Sequence, residues 1–350
     1  MKSVYVILKD LILNWKLHGL CISVSLIISC DITTEIEVDI PSKPPKLVIN
    51  STLVPSSIPG MKQLGIEISA TTHIFDTSEY KPVTDATVLL FKNGEFVDTI
   101  KYVDTLQTRP GSYPVDYAPF SGPLPGDTYS IEVSAPGYEK VYANTTIPGK
   151  VEILDVSIIP VGFIDDSSVI IVGGRRMGGG IWSEVTITFA DPPEIENYYE
   201  IVVAWYGRFY DSKSHFNLFT HESIITGESY YPSPMQPHLK HPRHLLFNDR
   251  SFNGEIKTLT FYYYPPQVWD GLHYISGHLM SLQLRNITAE YYYHKTTLLQ
   301  SLNNQVEDVL YGMREPFNVF SNIENGHGIF AGFNEDIFQA MIEETIVGQP

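Results

Sequence analysis

The stretch Tyr198–Tyr206, read Tyr-Tyr-Glu-Ile-Val-Val-Ala-Trp-Tyr, is apolar except for Glu200. A short apolar run rich in β-branched and aromatic residues predicts a strand that is buried on both faces at the centre of a sheet. Just before it, Val185, Ile187 and Phe189 alternate with threonines, which is the pattern of a half-buried strand. This part of the chain is therefore predicted to be built from β-sheets.

Further along the chain, two more inward strand faces are predicted from the same alternation. Their members are Leu259, Phe261 and Tyr263, and then Met280, Leu282 and Leu284. Between them and the central strand lies a run of about fifty residues, 206–256, that is rich in Ser, Pro, His and Asn. Because structureless connections of that length are uncommon, it is either a functional loop or contains short strands.

One helix is predicted near residues 288–310. Thr288 is a plausible N-cap, Glu290 falls in the first turn and Gly312 is a plausible stop. Six apolar residues share one face at 3.6 residues per turn: Ile287, Tyr291, Leu298, Leu302, Val306 and Val309. The helix is therefore expected to be amphipathic and to cover a sheet.

Residues 46–149 are predicted to form a smaller all-β domain. Leu64, Ile66 and Ile68 alternate with polar residues, and Asn93-Gly94 marks a hairpin turn because both residues tolerate positive φ. The phrase Pro125–Tyr138, with inward Tyr129, Ile131 and Val133, resembles the closing hairpin of immunoglobulin-like domains. The fold class is thus mainly β, with an N-terminal immunoglobulin-like β-sandwich followed by a larger β-rich domain, residues 150–350, with one amphipathic helix.

The first thirty residues resemble an export signal. An apolar run, Leu20–Cys30, ends in Ile-Ile-Ser-Cys and is followed by acidic residues from Asp31 onward, as in the lipobox of a bacterial lipoprotein. Residues 1–29 are therefore predicted to be a signal peptide, and Cys30 to be the lipidated first residue of the mature protein. The alternative, a transmembrane anchor, is disfavoured because a membrane span needs ~20 consecutive apolar residues, and Lys9, Asp10 and Lys16 break up the apolar stretch before Leu20.

Residues 30–45 are predicted to be a tether, because acidic residues keep the segment solvated and prolines extend it. Without residues 1–29 the chain has 20 basic and 39 acidic residues, a net charge of −19. That balance disfavours nucleic acid as a partner, since such binding depends on Lys and Arg neutralising phosphates. With Cys21 removed and Cys30 lipidated, no disulfide or cysteine-based metal site is expected.

A second candidate site is the histidine stripe His238, His241 and His244. An extended polyproline-like run has three residues per turn and would align the three rings, and aligned imidazoles could bind zinc or copper. Lys240 and Arg243 lie among them, so a polar loop is favoured over a metal site. No cofactor is predicted, and Gly-x-Ser-x-Gly, His-Glu-x-x-His and EF-hand patterns are absent from the sequence.

Several phrases of the second half resemble one family. They are Phe189–Pro193 with Asn197–Tyr199, Leu246–Asp249 with Phe252–Gly254, Glu290–Tyr292, and Ser321–Phe330 (Ser-Asn-Ile-Glu-Asn-Gly-His-Gly-Ile-Phe). Together with the lipobox, they are similar to an uncharacterised Bacteroidota outer-membrane lipoprotein family, domain of unknown function 4249. The resemblance implies an outer-membrane location and a TonB-dependent receptor as a partner, because members tend to be encoded beside such receptors.

The segment Ser321–Phe330 can also be interpreted in physical terms. Asn325-Gly326 and Gly328 predict a tight turn with positive φ, after which Ile329 and Phe330 re-enter the core as a strand. Asn322, Glu324 and Asn325 could cap the backbone or line a ligand or partner site. The structural role is favoured, because turn residues are more often architectural.

The sequence thus predicts a lipoprotein held in the outer-membrane bilayer through Cys30, a non-catalytic binding or accessory subunit of a TonB-dependent transport system. Two alternatives stay open at this level. The first is a hydrolase acting on glycan or peptide, with the segment 206–256 over its site. The second is a structural envelope protein or adhesin, which would have neither a pocket nor a receptor.

Overall fold

The computed structural model describes residues 44–55, 64–72, 82–100, 102, 112–115, 122–161, 170–172, 175–177, 182–193, 195–207, 210–215, 218–220, 224–225, 227–230, 242–263, 268–269, 273–311 and 318–347. The predicted signal peptide and nearly all of the predicted tether lie outside these ranges. One compact unit spans Pro45–Pro350. Its described part is mainly β with a single helix, as predicted.

The described residues form twenty strands and one helix. The first ten strands are β1 (Leu47–Leu53), β2 (Leu64–Ala70), β3 (Thr87–Lys92), β4 (Glu95–Ile100), β5 (Ser112–Val115), β6 (Thr128–Ser134), β7 (Val141–Thr146), β8 (Ile153–Val161), β9 (Ile170–Val172) and β10 (Arg175–Met177). The others are β11 (Trp182–Ala190), β12 (Tyr198–Gly207), β13 (Tyr210–His215), β14 (Leu218–Phe219), β15 (Gly227–Tyr230), β16 (Pro242–Asn248), β17 (Ile256–Tyr263), β18 (Val268–Trp269), β19 (His273–Ile287) and β20 (His327–Val347). The helix, α1, is Ala289–Tyr311.

A ten-stranded sheet, here called the central sheet, runs through the unit. Its strand order is β15-β16-β12-β19-β20-β1-β2-β5, with β13 paired to β12 and β18 paired to β19. The long strand β20 joins two groups of strands. Its start, His327–Gly332, pairs in parallel with β1, and the rest pairs antiparallel with β19. Strands from both sides of the predicted 149/150 boundary therefore share one sheet.

Two four-stranded sheets cover one face of the central sheet. The first, β4-β3-β6-β7, packs against β1 and β2 through a core that includes Ile49, Ile66, Tyr129 and Phe330. These two layers correspond to the predicted N-terminal sandwich, whose immunoglobulin-like character in detail stays a prediction. The second, β14-β17-β11-β8, packs on β12 and β19 through a separate core.

The predicted inward faces of the strands are confirmed. Val185, Ile187 and Phe189 of β11 are fully buried, as are the apolar residues of β12 from Ile201 to Ala204. The segment 206–256 contains β13, β14, β15 and β16, so it does include short strands that were invisible in its composition.

Helix α1 lies on the opposite face of the central sheet. Thr288 accepts a hydrogen bond at Oγ1 from the N–H of Tyr291 (3.4 Å), which confirms it as the N-cap. The predicted apolar face is wrong in part, because Leu298 is 37% exposed. The buried face of α1 instead carries Tyr291, Tyr292 and Leu299. The helix is thus rotated relative to the predicted orientation, and Lys295 also points toward the sheet, where it pairs with Glu200. The described part of the chain contains no helix that is both long enough and apolar enough to cross a membrane.

Candidate functional site

The outer face of the sheet β4-β3-β6-β7 contains a groove of about 380 Å³. Alternation along the strands creates it, because β6 buries Tyr129, Ile131 and Val133 and turns the residues between them outward. Ten residues line the groove: Phe91, Gly94, Ser130, Ile131, Glu132, Tyr142, Ala143, Asn144, Asn322 and Glu324. We call this the β6–β7 groove. Its lining combines aromatic rings with hydroxyl, amide and carboxylate groups.

The strand register places these side chains in two rows across the sheet. In one row Phe91 lies opposite Ser130, and Ser130 lies opposite Asn144. In the other row Glu132 lies opposite Tyr142, and Tyr142 forms a bridge to Glu324. The small Ser130 thus lies between larger side chains, which leaves the concave space.

The segment that precedes β20 closes one side of the groove. Glu324 N–H donates to the Tyr142 carbonyl at 2.8 Å, and Tyr142 N–H donates back to the Glu324 carbonyl at 3.3 Å. Asn325 has a φ of 63° and Gly328 a φ of 103°, so the tight turn predicted from Asn-Gly-x-Gly is present. Through this turn, residues from the far end of the chain join the first four-stranded sheet.

The three predicted site residues, Asn322, Glu324 and Asn325, lie in this turn segment but have different roles. Asn322 donates from Nδ2 to the carbonyls of Phe330 (2.7 Å) and Asn144 (3.3 Å) and accepts at Oδ1 from Phe330 N–H (2.9 Å). Asn325 donates from Nδ2 to the Lys140 carbonyl at 3.2 Å. Both asparagines therefore fasten the segment to β7 and β20, whereas Glu324 is exposed and lines the groove.

An ion pair sets the charge of the groove. Lys140 Nζ pairs with the carboxylate of Glu132 and lies 5.3 Å from the centroid of the Tyr142 ring. The hydrogen bond with Glu132 raises the pKa of Lys140. Glu132 is thereby neutralised locally, and Glu324 supplies the net negative charge of the groove.

The histidine stripe is only partly described. His238 and His241 lie outside the described residues, whereas His244 is on β16 and donates from Nδ1 to Glu200 Oε1 at 2.7 Å. Burial lowers the pKa of His244, so the ring is neutral at pH 7. Among the described residues, no group of three or more His, Cys, Asp or Glu side chains is arranged to hold a metal ion. Cys30 also lies outside the described residues.

Glu200 is the centre of a buried ion cluster between β12, β19 and α1. Its carboxylate is fully buried and accepts from Arg285 Nη1 (2.8 Å) and Lys295 Nζ (2.8 Å). Arg285 in turn donates from Nε to Glu335 Oε2 at 3.0 Å. Burial opposes ionisation of Glu200, but Lys295, His244 and Arg285 outweigh it and hold the pKa of this carboxyl well below 4.5. Each charge has a partner, so the cluster is suited to holding α1 on the sheet.

Sequence reasoning missed this cluster, although the sequence contained a signal for it. Glu200 is the one charged residue in the apolar run Tyr198–Tyr206. A charged side chain in a strand buried on both faces must be paired, so Glu200 alone predicted a cationic partner. Which cation pairs with it depends on strand neighbours that are distant in sequence.

Comparison with known protein families identifies the family of this chain. A family model described as a domain of unknown function (DUF4249) matches residues 33–338. No curated protein matches the chain.

Proposed function

Since this chain belongs to the DUF4249 family, we propose that it is an outer-membrane lipoprotein, anchored through lipidated Cys30, that acts as a non-catalytic binding or accessory subunit of a TonB-dependent transport system. The observation that carries the proposal is the lipobox ending at Cys30. The family match supports it, because the matched region begins at residue 33, three residues after Cys30. The resemblance to lipoproteins encoded beside TonB-dependent receptors supplies the partner.

The length of the segment between Cys30 and the folded unit supports the proposed lipid anchor. The compact unit begins at Pro45 and its first strand at Leu47. The fifteen residues 31–45 span at most ~50 Å when extended. An acidic, proline-containing segment of that reach can hold a folded unit clear of the lipid headgroups while keeping it beside a membrane receptor.

The chemistry of the β6–β7 groove favours binding over catalysis. Of its two carboxylates, Glu132 is engaged by Lys140, and Glu324 is exposed at the edge. A general acid or base works best with a pKa shifted toward neutrality, usually by burial. An exposed carboxylate and a paired one are better suited to accepting hydrogen bonds from a ligand.

The anchor is tested by membrane fractionation of cells that express the full chain. Cys30→Ala is expected to leave the fold intact and to release the protein from the membrane fraction. Cys21→Ala is the matched control, because Cys21 lies in the part predicted to be cleaved, and this variant should remain membrane-bound. Membrane retention of Cys30→Ala would overturn the proposed anchor.

The accessory role is tested by affinity purification of the tagged full chain from membranes in mild detergent. We expect a TonB-dependent receptor to be co-isolated. Recovery of the lipoprotein alone would overturn the proposed partnership, and it would leave the result of the Cys30 experiment unaffected.

A further inference from the structure

We propose that the β6–β7 groove binds a neutral glycan, that is, a short run of uncharged sugar rings. This inference rests on the proposed binding function and names the class of ligand. It follows from where the groove lies on the sheet, from its side chains, from its charge and from its size.

The groove lies on the outer face of the sheet and reaches its last strand, β7, where Glu324 bridges the edge at Tyr142. Its floor strands β3, β6 and β7 pair with one another through the residues that line the groove, and the Tyr142 backbone also pairs with Glu324. A peptide that binds by adding a strand needs unpaired N–H and C=O groups at an edge. Recognition in this groove must therefore come from side chains.

Those side chains offer both kinds of contact that a sugar ring requires. Tyr142 is 37% exposed and presents an apolar ring with a polar tip, and Phe91 lines the opposite side of the groove. Phe96 extends the aromatic surface, since it is 57% exposed and its ring centroid lies 5.9 Å from that of Phe91. Apolar rings can stack against the C–H faces of pyranoses.

Hydroxyl-binding groups lie between the rings. Ser130 and Asn144 are neighbours across β6 and β7, in the row that starts at Phe91. A hydroxyl and an amide each donate and accept hydrogen bonds, which matches the mixed donor and acceptor character of sugar hydroxyls. The carboxylate of Glu324 accepts from hydroxyl donors at the edge of the same groove.

The charge and the size of the groove further restrict the class of ligand that it can bind. Lys140 is paired with Glu132, so the groove carries the net negative charge of Glu324 in a chain that is itself strongly acidic. An anionic ligand such as a uronate or a phosphate would be repelled. A volume of about 380 Å³ falls at the small end of ligand pockets, which span ~300–1,000 Å³, and suits a short stretch of sugar.

The test is isothermal titration of the full chain, purified in detergent, with a panel of linear neutral oligosaccharides: maltohexaose, cellohexaose, laminarihexaose, xylohexaose and mannohexaose. An oligogalacturonate and a proline-rich peptide serve as anionic and peptide comparators. We expect at least one neutral sugar to bind and both comparators to fail. Absence of binding across the neutral panel, or binding of a comparator alone, would overturn the inference.

Variants locate the binding in the groove. Tyr142→Ala should weaken the sugar by about tenfold, because it removes a stacking ring. Ser130→Phe should abolish binding by filling the groove while keeping a residue that favours strands. Ile256→Ala is the matched control, because Ile256 is a 67% exposed apolar residue of β17 outside the groove, and this variant should bind as the wild type does.

Circular dichroism of each variant separates a lost site from a lost fold. Wild-type affinity in a folded Ser130→Phe variant would overturn the placement. Co-isolation of a receptor tests the proposed function independently of sugar binding. If the chain co-purifies with a receptor but binds no neutral sugar, only the glycan inference is disproved.

Discussion

Glu200 and Arg285 lie directly opposite each other on β12 and β19, and Arg285 Nη1 donates to Glu200 Oε2 at 2.8 Å beneath helix α1. Arg285 also lies opposite Glu335 of β20 and donates to it. Three adjacent central strands therefore carry a row of alternating charges, and Lys295 of α1 closes the row from above. The row shows how a charged residue is accommodated in the middle of a buried sheet.

We predict that Glu200→Gln lowers the free energy of unfolding by about 3–5 kcal/mol, because it leaves Arg285 and Lys295 without their shared carboxylate in a buried site. Urea denaturation measures the loss. Glu196→Gln is the control, since Glu196 pairs with Arg250 at the exposed surface and should cost less than about 1 kcal/mol. Equal losses in the two variants would show that the buried cluster does not stabilise the fold.

The second prediction concerns Gly328, whose φ is +103° in the parallel pairing of β20 with β1. A Cβ at this position would lie 2.0 Å from the carbonyl oxygen of Ile49. We expect Gly328→Ala to cost at least about 3 kcal/mol, because either the backbone or the β1–β20 pairing must shift.

Gly65 of β2 is the matched control for that substitution. Among the described residues, no atom lies within 4 Å of a Cβ at Gly65, and the φ of Gly65 is not in the left-handed region. Gly65→Ala should therefore raise the free energy of unfolding by about 0.5–1 kcal/mol through the unfolded chain. A Gly328→Ala variant as stable as Gly65→Ala would contradict the described approach of the two strands.

The third prediction is a pH dependence. Burial lowers the pKa of His278 to about 4, below its ordinary value of 6.5. Between about pH 6.5 and about pH 4 the unfolded chain takes up a proton that the folded chain does not, so stability falls as the pH falls through this window, by on the order of 2–3 kcal/mol from this residue.

His278→Gln should flatten the plot of unfolding free energy against pH in this window, measured by urea denaturation. The variant will also lose the contact between His278 Nε2 and the Tyr263 hydroxyl (3.2 Å), so the slope and not the absolute stability is the readout. An unchanged slope in His278→Gln would contradict the prediction.

The fourth prediction concerns Tyr199, which is fully buried and donates its hydroxyl proton to the carboxylate of Asp191. Tyr199→Phe leaves a buried carboxylate without one donor and should cost about 1–3 kcal/mol. Tyr198→Phe removes a hydroxyl that contacts Tyr293 (3.1 Å) in a partly buried position and also interacts with the exposed Glu196, and it should cost less. Thermal unfolding of both variants makes the comparison, and a larger loss in Tyr198→Phe would contradict it.

Local features of the fold could be predicted because they depend on neighbours in sequence. The hairpin turn at Asn93-Gly94 has φ values of 51° and 85°, as expected from two residues that tolerate the left-handed region. Thr288 caps α1 for a similar reason, since its hydroxyl meets an N–H only three residues away. The face of α1 was misjudged at Leu298, because Lys295 is drawn inward by Glu200, a residue nearly a hundred positions earlier.

Only part of the candidate site could be predicted from the sequence. The turn that holds Asn322, Glu324 and Asn325 was predicted from its glycines; Asn322 and Glu324 line the groove, and Asn325 hydrogen-bonds to the Lys140 carbonyl next to it. Their separate tasks could not be predicted, because Asn322 is committed to the backbone of Phe330 and Asn144, and only the folded chain brings Asn144 to that position.

The sequence by itself determined the strongly alternating strands, such as β6, β11 and β17, with their buried sides, and the turns at Asn93-Gly94 and Asn325-Gly326, because side-chain alternation and positive φ are properties of a few consecutive residues. It also carried the apolar run ending in Ile-Ile-Ser-Cys at Cys30, on which the proposed location rests. The tertiary structure alone decided which strands become neighbours. It placed β20 between β19 and β1, set Arg285 between two glutamates, and brought Glu324 beside Tyr142 to close the β6–β7 groove. Such pairings join residues as much as 279 positions apart, as between Val48 and His327, and no local pattern encodes them.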